Sequence, residues 1–348
     1  FEYARSTGSA YATSMTVSLA NYEAAGNKWH VHDFPVPSSG DCLGTGGHYD
    51  PMQDLPEYGD LSAKWGKLGE AGKELATGKA YVLDDTLPLY GKYSSLGRSI
   101  VVHYASGARW ACSTIPNRIV VSFPEKPTYP SGSLTLYQKD VNSDVTIMSS
   151  LTSLEGAALG NSWHVHRFPT DAGGGVGDGG CGAAVTAGHY DPTFKAGTYS
   201  SCADQSLCEV GDLAVKHGRL GIGAAADMAT YTDTALSLLY DSAAGSEGSM
   251  WAVGRSIVIH KDDGSRWSCA NIGEAGVGVD VAFATGVTGS IELFQPASGY
   301  ASFEYARSTG SAYATSMTVS LANYEAAGNK WHVHDFPVPS SGDCLGTG

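Results

Sequence analysis

Trp29-His30-Val31-His32-Asp33-Phe34, followed by Gly47-His48-Tyr49-Asp50-Pro51, is the stretch on which the reading of this chain turns. Side chains alternate between the two faces of a β-strand, so His30 and His32 share a face and can reach one metal ion together with His48. The phrases recur as Trp163-His164-Val165-His166 with Gly188-His189-Tyr190-Asp191-Pro192, and His332 and His334 repeat the opening pair near the C-terminus. A fourth histidine completes each full set, in Gly97-Arg98-Ser99-Ile100-Val101-Val102-His103 and in Gly254-Arg255-Ser256-Ile257-Val258-Ile259-His260. Of the eleven histidines, only His217 lies outside these positions. A lone histidine is most simply a satisfied core or surface residue; four recurring in the same order, twice, point to a metal site.

With 348 residues the chain has room for two or three domains, each with a core of its own. Gly is abundant, Ser, Thr, Val and Tyr are frequent, and helix-period stretches are scarce, which reads as an all-β protein of short strands joined by turns. No apolar run is long enough for a membrane helix. The absence of a charged-then-apolar leader at Phe1 suggests an internal piece of a precursor. A net charge of −14 speaks against nucleic acid, because phosphate binding needs clustered Lys and Arg. Cys42 and Cys112 in the first unit match Cys181 and Cys269 in the second, and each pair is expected to staple the loop between ligand segments to the last strand. Cys202 and Cys208 are expected to form a local bridge, which leaves Cys344 odd and suggests an oxidising compartment.

Phe1 to Gly46 and Phe303 to Gly348 are identical at all 46 positions, a period of 302 residues. Cores tolerate many substitutions, so such identity implies a recent tandem duplication of a two-unit repeat. Three segments are expected: residues 1–128, residues 131–286, and residues 289–348 as the N-terminal part of a further repeat. The proline-rich Pro124 to Pro130 reads as a stiff linker between the first two. The second unit opens with Gly132-Ser-Leu-Thr-Leu-Tyr-Gln138 and the third with Gly289-Ser-Ile-Glu-Leu-Phe-Gln295; no such strand precedes Phe1, so the first unit is expected to take one from elsewhere.

The order of these motifs, His-x-His strand, loop Cys, Gly-His-Tyr-Asp-Pro, Gly-Asp-Leu, Gly-Arg-Ser-Ile-Val-Val-His and Arg-Trp-Ala-Cys, resembles the copper/zinc superoxide dismutase family. The resemblance implies tandem Greek-key β-sandwich or barrel domains. It also implies copper, one per complete domain, held by His30, His32, His48 and His103, by His164, His166, His189 and His260, and, in the partial repeat, by His332 and His334. Between His48 and Asp60 there is no second histidine pair for zinc, and the loop after the fourth ligand is cut to Tyr104 to Ala108 and Lys261 to Ser265. That departure resembles the copper-only, multi-repeat extracellular members, and no zinc is expected. Glu57 with Asp60, and Glu209 with Asp212, are expected to hold the imidazoles of His48 and His189, or else to stabilise the loop. Arg109 and Arg266 match the family's anion-guiding arginine; the alternative is an arginine stacked at the rim.

The implied activity is dismutation of superoxide to O₂ and H₂O₂ by each complete unit, outside the cell or at its surface. A structural subunit of an extracellular filament with inherited copper sites is the alternative, and copper buffering a third reading. The expected partners are superoxide and further copies or continuations of the chain joined head to tail.

Overall fold

Strands form where apolar residues alternate with polar ones, and Asn117–Phe123 is the clearest case, with Ile119, Val121 and Phe123 buried and the residues between them exposed. The computed structural model describes residues 13–50, 58–72, 75, 79–84, 86–87, 89, 94–170, 173–195, 202, 204–239, 251–273, 277–283, 288–295 and 316–322. Within them the strands are β1 Thr13–Ser18, β2 Trp29–His32, β3 Lys79–Asp84, β4 Ser99–His103, β5 Arg109–Thr114, β6 Asn117–Phe123, β7 Ser131–Gln138, β8 Val145–Thr152 and β9 Trp163–His166. They continue as β10 Gly174–Val176, β11 Ala226–Asp227, β12 Thr230–Asp233, β13 Ser256–His260, β14 Arg266–Asn271, β15 Val277–Phe283, β16 Thr288–Gln295 and β17 Ser316–Ala322. The described helices are single turns, so the all-β expectation is borne out, and none of them is long and apolar enough to cross a membrane. His332, His334, Glu57 and Cys344 lie outside the described residues.

The chain divides into two bodies, Phe1–Gly278 with Phe294–Thr315, and Val279–Leu293 with Ser316–Gly348. In the first, β2, β4 and β5 form one sheet and β1 pairs with β3. In the second repeat the sheet β10-β14-β13-β9 faces the sheet β11-β8-β7-β6, with β12 also on β8. Trp163, Val165, Ile257 and Ile259 from one sheet and Leu134, Leu136, Ile147 and Leu151 from the other fill a single core. None of these sheets closes into a barrel among the described residues. The second body contains the strand order β15-β16-β17.

β6 departs from the expected segmentation. The boundary placed at residues 128–131 falls inside a hairpin, in which β6 pairs with β7 from Asn117↔Gln138 to Phe123↔Gly132. Ile119, Val121 and Phe123 belong to the second repeat's core, and the Asn117 side-chain amide donates to the Leu238 carbonyl at 2.9 Å. Pro124 to Pro130 is the connection of that hairpin; its prolines keep it off the ladder, and the Trp267 indole nitrogen donates to the Thr128 carbonyl at 3.1 Å. The proline signal marked a real break in pairing but could not say which strands it joined.

Phe123→Ala is expected to destabilise the second repeat by about 3–5 kcal/mol, as for other buried aromatic truncations. Urea unfolding followed through Trp163 fluorescence checks this; an unchanged midpoint would remove β6 from that core.

Candidate metal centres

Three local devices bring four histidines to one point. β2 buries His30 and His32 by pairing with β4 from Trp29↔Val102 to His32↔Ser99. An isolated bridge, His32↔His48, draws in the third, and His166↔His189 does the same in the second repeat. The fourth sits at a register shift: after Val102↔Ala111 the ladder skips Trp110 and pairs His103 with Arg109. Val258↔Cys269 and Ile259↔Ser268 likewise lead to His260↔Arg266. Bulges of this kind re-aim a side chain, and here each sets an arginine opposite a ligand histidine. The candidate ligand atoms of His30, His32, His48 and His103 lie within 4.8 Å of one another, as do those of His164, His166, His189 and His260.

Hydrogen bonding sorts the ring nitrogens. A carbonyl oxygen only accepts, so a ring nitrogen facing one carries the proton and the other nitrogen keeps its lone pair. Nδ1 of His32 donates to Gly46 at 3.1 Å and that of His103 to Gly107 at 3.0 Å. In the second repeat Nδ1 of His166 meets Ala187 and that of His260 meets Gly264, both at 3.0 Å. Nδ1 of His189 faces Glu209 Oε2 at 2.8 Å. His30 and His164 are reversed: their Nε2 atoms face Asp60 and Asp212 at 3.4 Å, and their buried Nδ1 atoms have no hydrogen-bond partner. Buried nitrogens are rarely left unsatisfied. These two orphans, beside the Nε2 atoms of His32 and His103 facing each other at 3.3 Å and those of His166 and His260 at 3.4 Å, fit a metal ion bound by neutral imidazoles.

Burial keeps the rings neutral. It pushes His30 down to about 3, helped by the neighbouring His48, and His32 down to about 3, helped by the Arg109 guanidinium. His260 falls to about 4, by burial and then by His164; burial also lowers His103, His164 and His166. His48 is exposed and His189 half-buried, so the third ligand of each set lies on the solvent side.

Arg109 donates to the carbonyls of Cys42 and Leu43 at 2.7 and 2.9 Å, and also to the Gly46 carbonyl that His32 engages. Arg266 binds the Cys181 carbonyl at 2.9 Å and the Thr186 hydroxyl at 2.7 Å. Both half-buried guanidinium groups are thus pinned against the loop beside the histidine clusters, and that loop is tied down by Cys42–Cys112 or Cys181–Cys269. Cys202 is bonded to Cys208. The carboxylates divide their work differently from the sequence expectation. Glu209 meets His189, whereas Asp60 and Asp212 face His30 and His164 and also cap the short helices Leu61–Trp65 and Leu213–His217. Burial opposes the charge of Asp212, but its hydrogen bonds to His164 and from the Val215 backbone nitrogen hold the carboxyl below the usual range.

With this geometry in hand, comparison with known proteins is direct. Residues 2–115 match the sequence family described as copper/zinc superoxide dismutase. Over these residues the first repeat is similar to copper/zinc superoxide dismutases. The Arabidopsis thaliana protein named superoxide dismutase [Cu-Zn] 3 is 33% identical over 95 residues, which are 26% of this chain and 56% of that protein. A cell surface Cu-only superoxide dismutase of Arthroderma benhamiae is 32% identical over 99 residues, 24% of this chain and 26% of the relative. The chain thus spans from about a quarter to just over half the length of these relatives. The structure of Candida albicans superoxide dismutase 5 with Cu(II) is 27% identical, with a TM-score of 0.36 over 48% of this chain and 95% of that one.

Several residues that position these four-histidine centres carry no role in the sequence reading. Asn27 and Asn161 donate to the backbone carbonyls of His103 and His260 at 2.8 and 2.9 Å, fixing the strand ends that carry the fourth ligands. Lys64 pairs with Asp84 and Lys216 with Asp233, each at 2.6 Å, tying each capped helix to the opposite sheet. His217, the histidine outside the sets, donates to Asp233 at 2.8 Å, as the Trp65 indole does to Asp84 at 3.2 Å. Arg98 and Arg255 lie over Tyr49 and Tyr190, with 3.6 and 3.8 Å to the ring centroids, behind the third ligands. Gly211 admits no side chain, since a Cβ would fall 2.4 Å from the Val165 carbonyl. Apart from His217, whose place Trp65 takes, these recur at matching positions in the two repeats, and aligning the chain with itself was the signal that could have found them.

The metal-free chain is expected to lose stability as pH falls from the ordinary imidazole value of 6.5 toward 3. The unfolded chain binds protons in that window and the buried rings do not, so protonation favours unfolding. Urea midpoints of metal-free protein across the window check this; a flat profile would contradict the burial of neutral rings.

Proposed function

We propose that each four-histidine centre holds copper and that each complete repeat is a copper-only superoxide dismutase. The observation that carries this reading is the pair of buried, unpartnered Nδ1 atoms on His30 and His164, each beside two rings whose Nδ1 atoms are committed to backbone carbonyls and whose Nε2 atoms converge. Imidazole nitrogens suit both Cu(II) and Cu(I), and copper when bound supplies a one-electron acceptor and donor. Two superoxide ions and two protons then give one O₂ and one H₂O₂.

This chain's own residues supply the rest. Backbone carbonyls take the Nδ1 protons of His32, His103, His166 and His260 and so leave the Nε2 of each of these rings its lone pair. The Arg109 and Arg266 guanidinium groups attract a small anion to the solvent side of the centre, a local effect that survives the acidic net charge because distant charges are screened. Glu209 holds the proton on Nδ1 of His189 and orients that ring, and Glu57 is assigned the same task at His48 by its sequence position. Asp60 and Asp212 orient the paired ligands His30 and His164. With no second histidine pair between His48 and Asp60, the centres are read as free of zinc. The disulfides and the cell-surface relatives support a place outside the cell.

A second reading, a subunit of an extracellular filament or tandem array, is favoured by the identity of Phe1 to Gly46 with Phe303 to Gly348. The two readings are compatible.

Elemental analysis of copper-loaded protein should give one copper per four-histidine centre and no stoichiometric zinc; zinc equal to copper would sink the copper-only assignment. Arg266→Gln together with Arg109→Gln should slow superoxide consumption by about tenfold with copper content unchanged, and lysine at both positions should restore part of the rate. Undiminished turnover in the glutamine variant would return both arginines to loop packing. Glu209→Gln should shift the pH profile of turnover more than it lowers copper content, and an identical profile would leave Glu209 a loop residue only.

A further inference from the structure

The two repeats differ most where β1 and its counterpart β8 lie. Glu23 and Glu155 make the same contact, backbone nitrogen to the side-chain oxygen of Asn27 or Asn161, and Asn21 and Ser153 share a positive φ. The alignment this sets places Met15 on Ile147, Ser18 on Ser150 and Leu19 on Leu151. β8 is covered on both sides, by β12 and by the hairpin β6-β7. β1 has the β12-like partner, β3, but among the described residues its sheet ends there. The core records the difference: Ile147 and Leu151 are 0% exposed, while Met15 is half-buried and Leu19 is 42% exposed.

The chain also carries a hairpin of the required kind. β15 and β16 repeat the apolar positions of β6 and β7, with Val279, Val281 and Phe283 for Ile119, Val121 and Phe123, and Ile291 and Leu293 for Leu134 and Leu136. This hairpin pairs with β17, and β17 has the sequence Ser-Met-Thr-Val-Ser-Leu-Ala, identical to Ser14 to Ala20.

We infer that the Val277–Gln295 hairpin of one copy of this chain docks on β1 of a second copy, completing the first repeat's outer sheet as β6-β7 completes the second repeat's. The strand it would exchange is the same sequence, so pairing neither gains nor loses in the swap. Because β17 loses the cover that β1 gains, the favourable difference comes from β1 already lying in a sheet with β3 over the first repeat's core, so that docking builds a wider sheet there. Within one copy the hairpin sits on β17, while among the described residues β1 pairs only with β3, so the contact joins different patches of two molecules. Such a contact does not close on itself and propagates as a head-to-tail chain. The inference deepens the assembly reading and is independent of copper chemistry.

The register follows from β7 on β8, where Ser133 faces Ser150, and it sets Ser290 opposite Ser18. Cα separations of antiparallel partners, about 4.5–5.5 Å, lie in the disulfide range. Mild oxidation of a mixture of full-length Ser18→Cys and Ser290→Cys proteins should give covalent dimers well above the background of either variant alone or of wild type. Sedimentation of the wild-type chain should show association growing with concentration. Monomers at every concentration, or association without the mixed crosslink, would overturn the inference. So would a double variant, Ser18→Cys with Ser290→Cys, that links only within one chain. Association with no crosslink would leave the filament reading standing through another contact, and superoxide consumption, measured on the same samples, reports the enzyme reading separately.

Discussion

Everything at the two centres depends on which nitrogen of each buried imidazole is committed to the protein. Backbone carbonyls at Gly46 and Gly107, and at Ala187 and Gly264, take the Nδ1 protons of four rings, and Asp60 and Asp212 face the opposite nitrogen of two more. Burial then removes the alternative of protonation, since a charged ring inside would go unsolvated. What is left is a set of lone pairs converging on one point without any proton to displace. The strands, the bulge and the disulfide loop can be understood as the means of holding that convergence.

The supports are themselves polar and buried, which makes them costly to leave incomplete. Lys216 and Asp233 are both buried; burial lowers the lysine, and opposes a carboxyl that the His217 hydrogen bond and the Lys216 charge hold below its usual range. Such a pair adds little over an apolar substitute, but losing one member strands a charge, so it specifies one packing of helix against sheet. Helix Leu213–His217 begins at Asp212, so the ion pair at its far end also sets the carboxylate that faces His164. The equivalent chain, Asp84 to Lys64 to Asp60 to His30, runs through the first repeat.

The repeats share strands across their sequence boundary. The hairpin β6-β7, whose first strand follows the first repeat and whose second opens the next, makes the second repeat's sandwich depend on a strand from its neighbour. Covalent neighbours and separate copies can meet that need by the same pairing. In the second repeat this couples the scaffold of a four-histidine centre to a strand that lies before that repeat in sequence.

The sequence by itself determined the all-β class, the two complete four-histidine sets and the cysteine pairs at matching positions, because strand alternation, residue chemistry and repetition are local or countable properties. Tertiary structure alone decided that Asn117–Phe123 serves the second repeat's core, since an apolar alternation says that a face is buried but not against which sheet. It also decided that Asp60 and Asp212 face His30 and His164, and that a skipped residue sets Arg109 and Arg266 opposite His103 and His260. Those assignments depend on side-chain direction and ladder register across residues far apart in the chain, where a shift of one position sends each side chain to the other face.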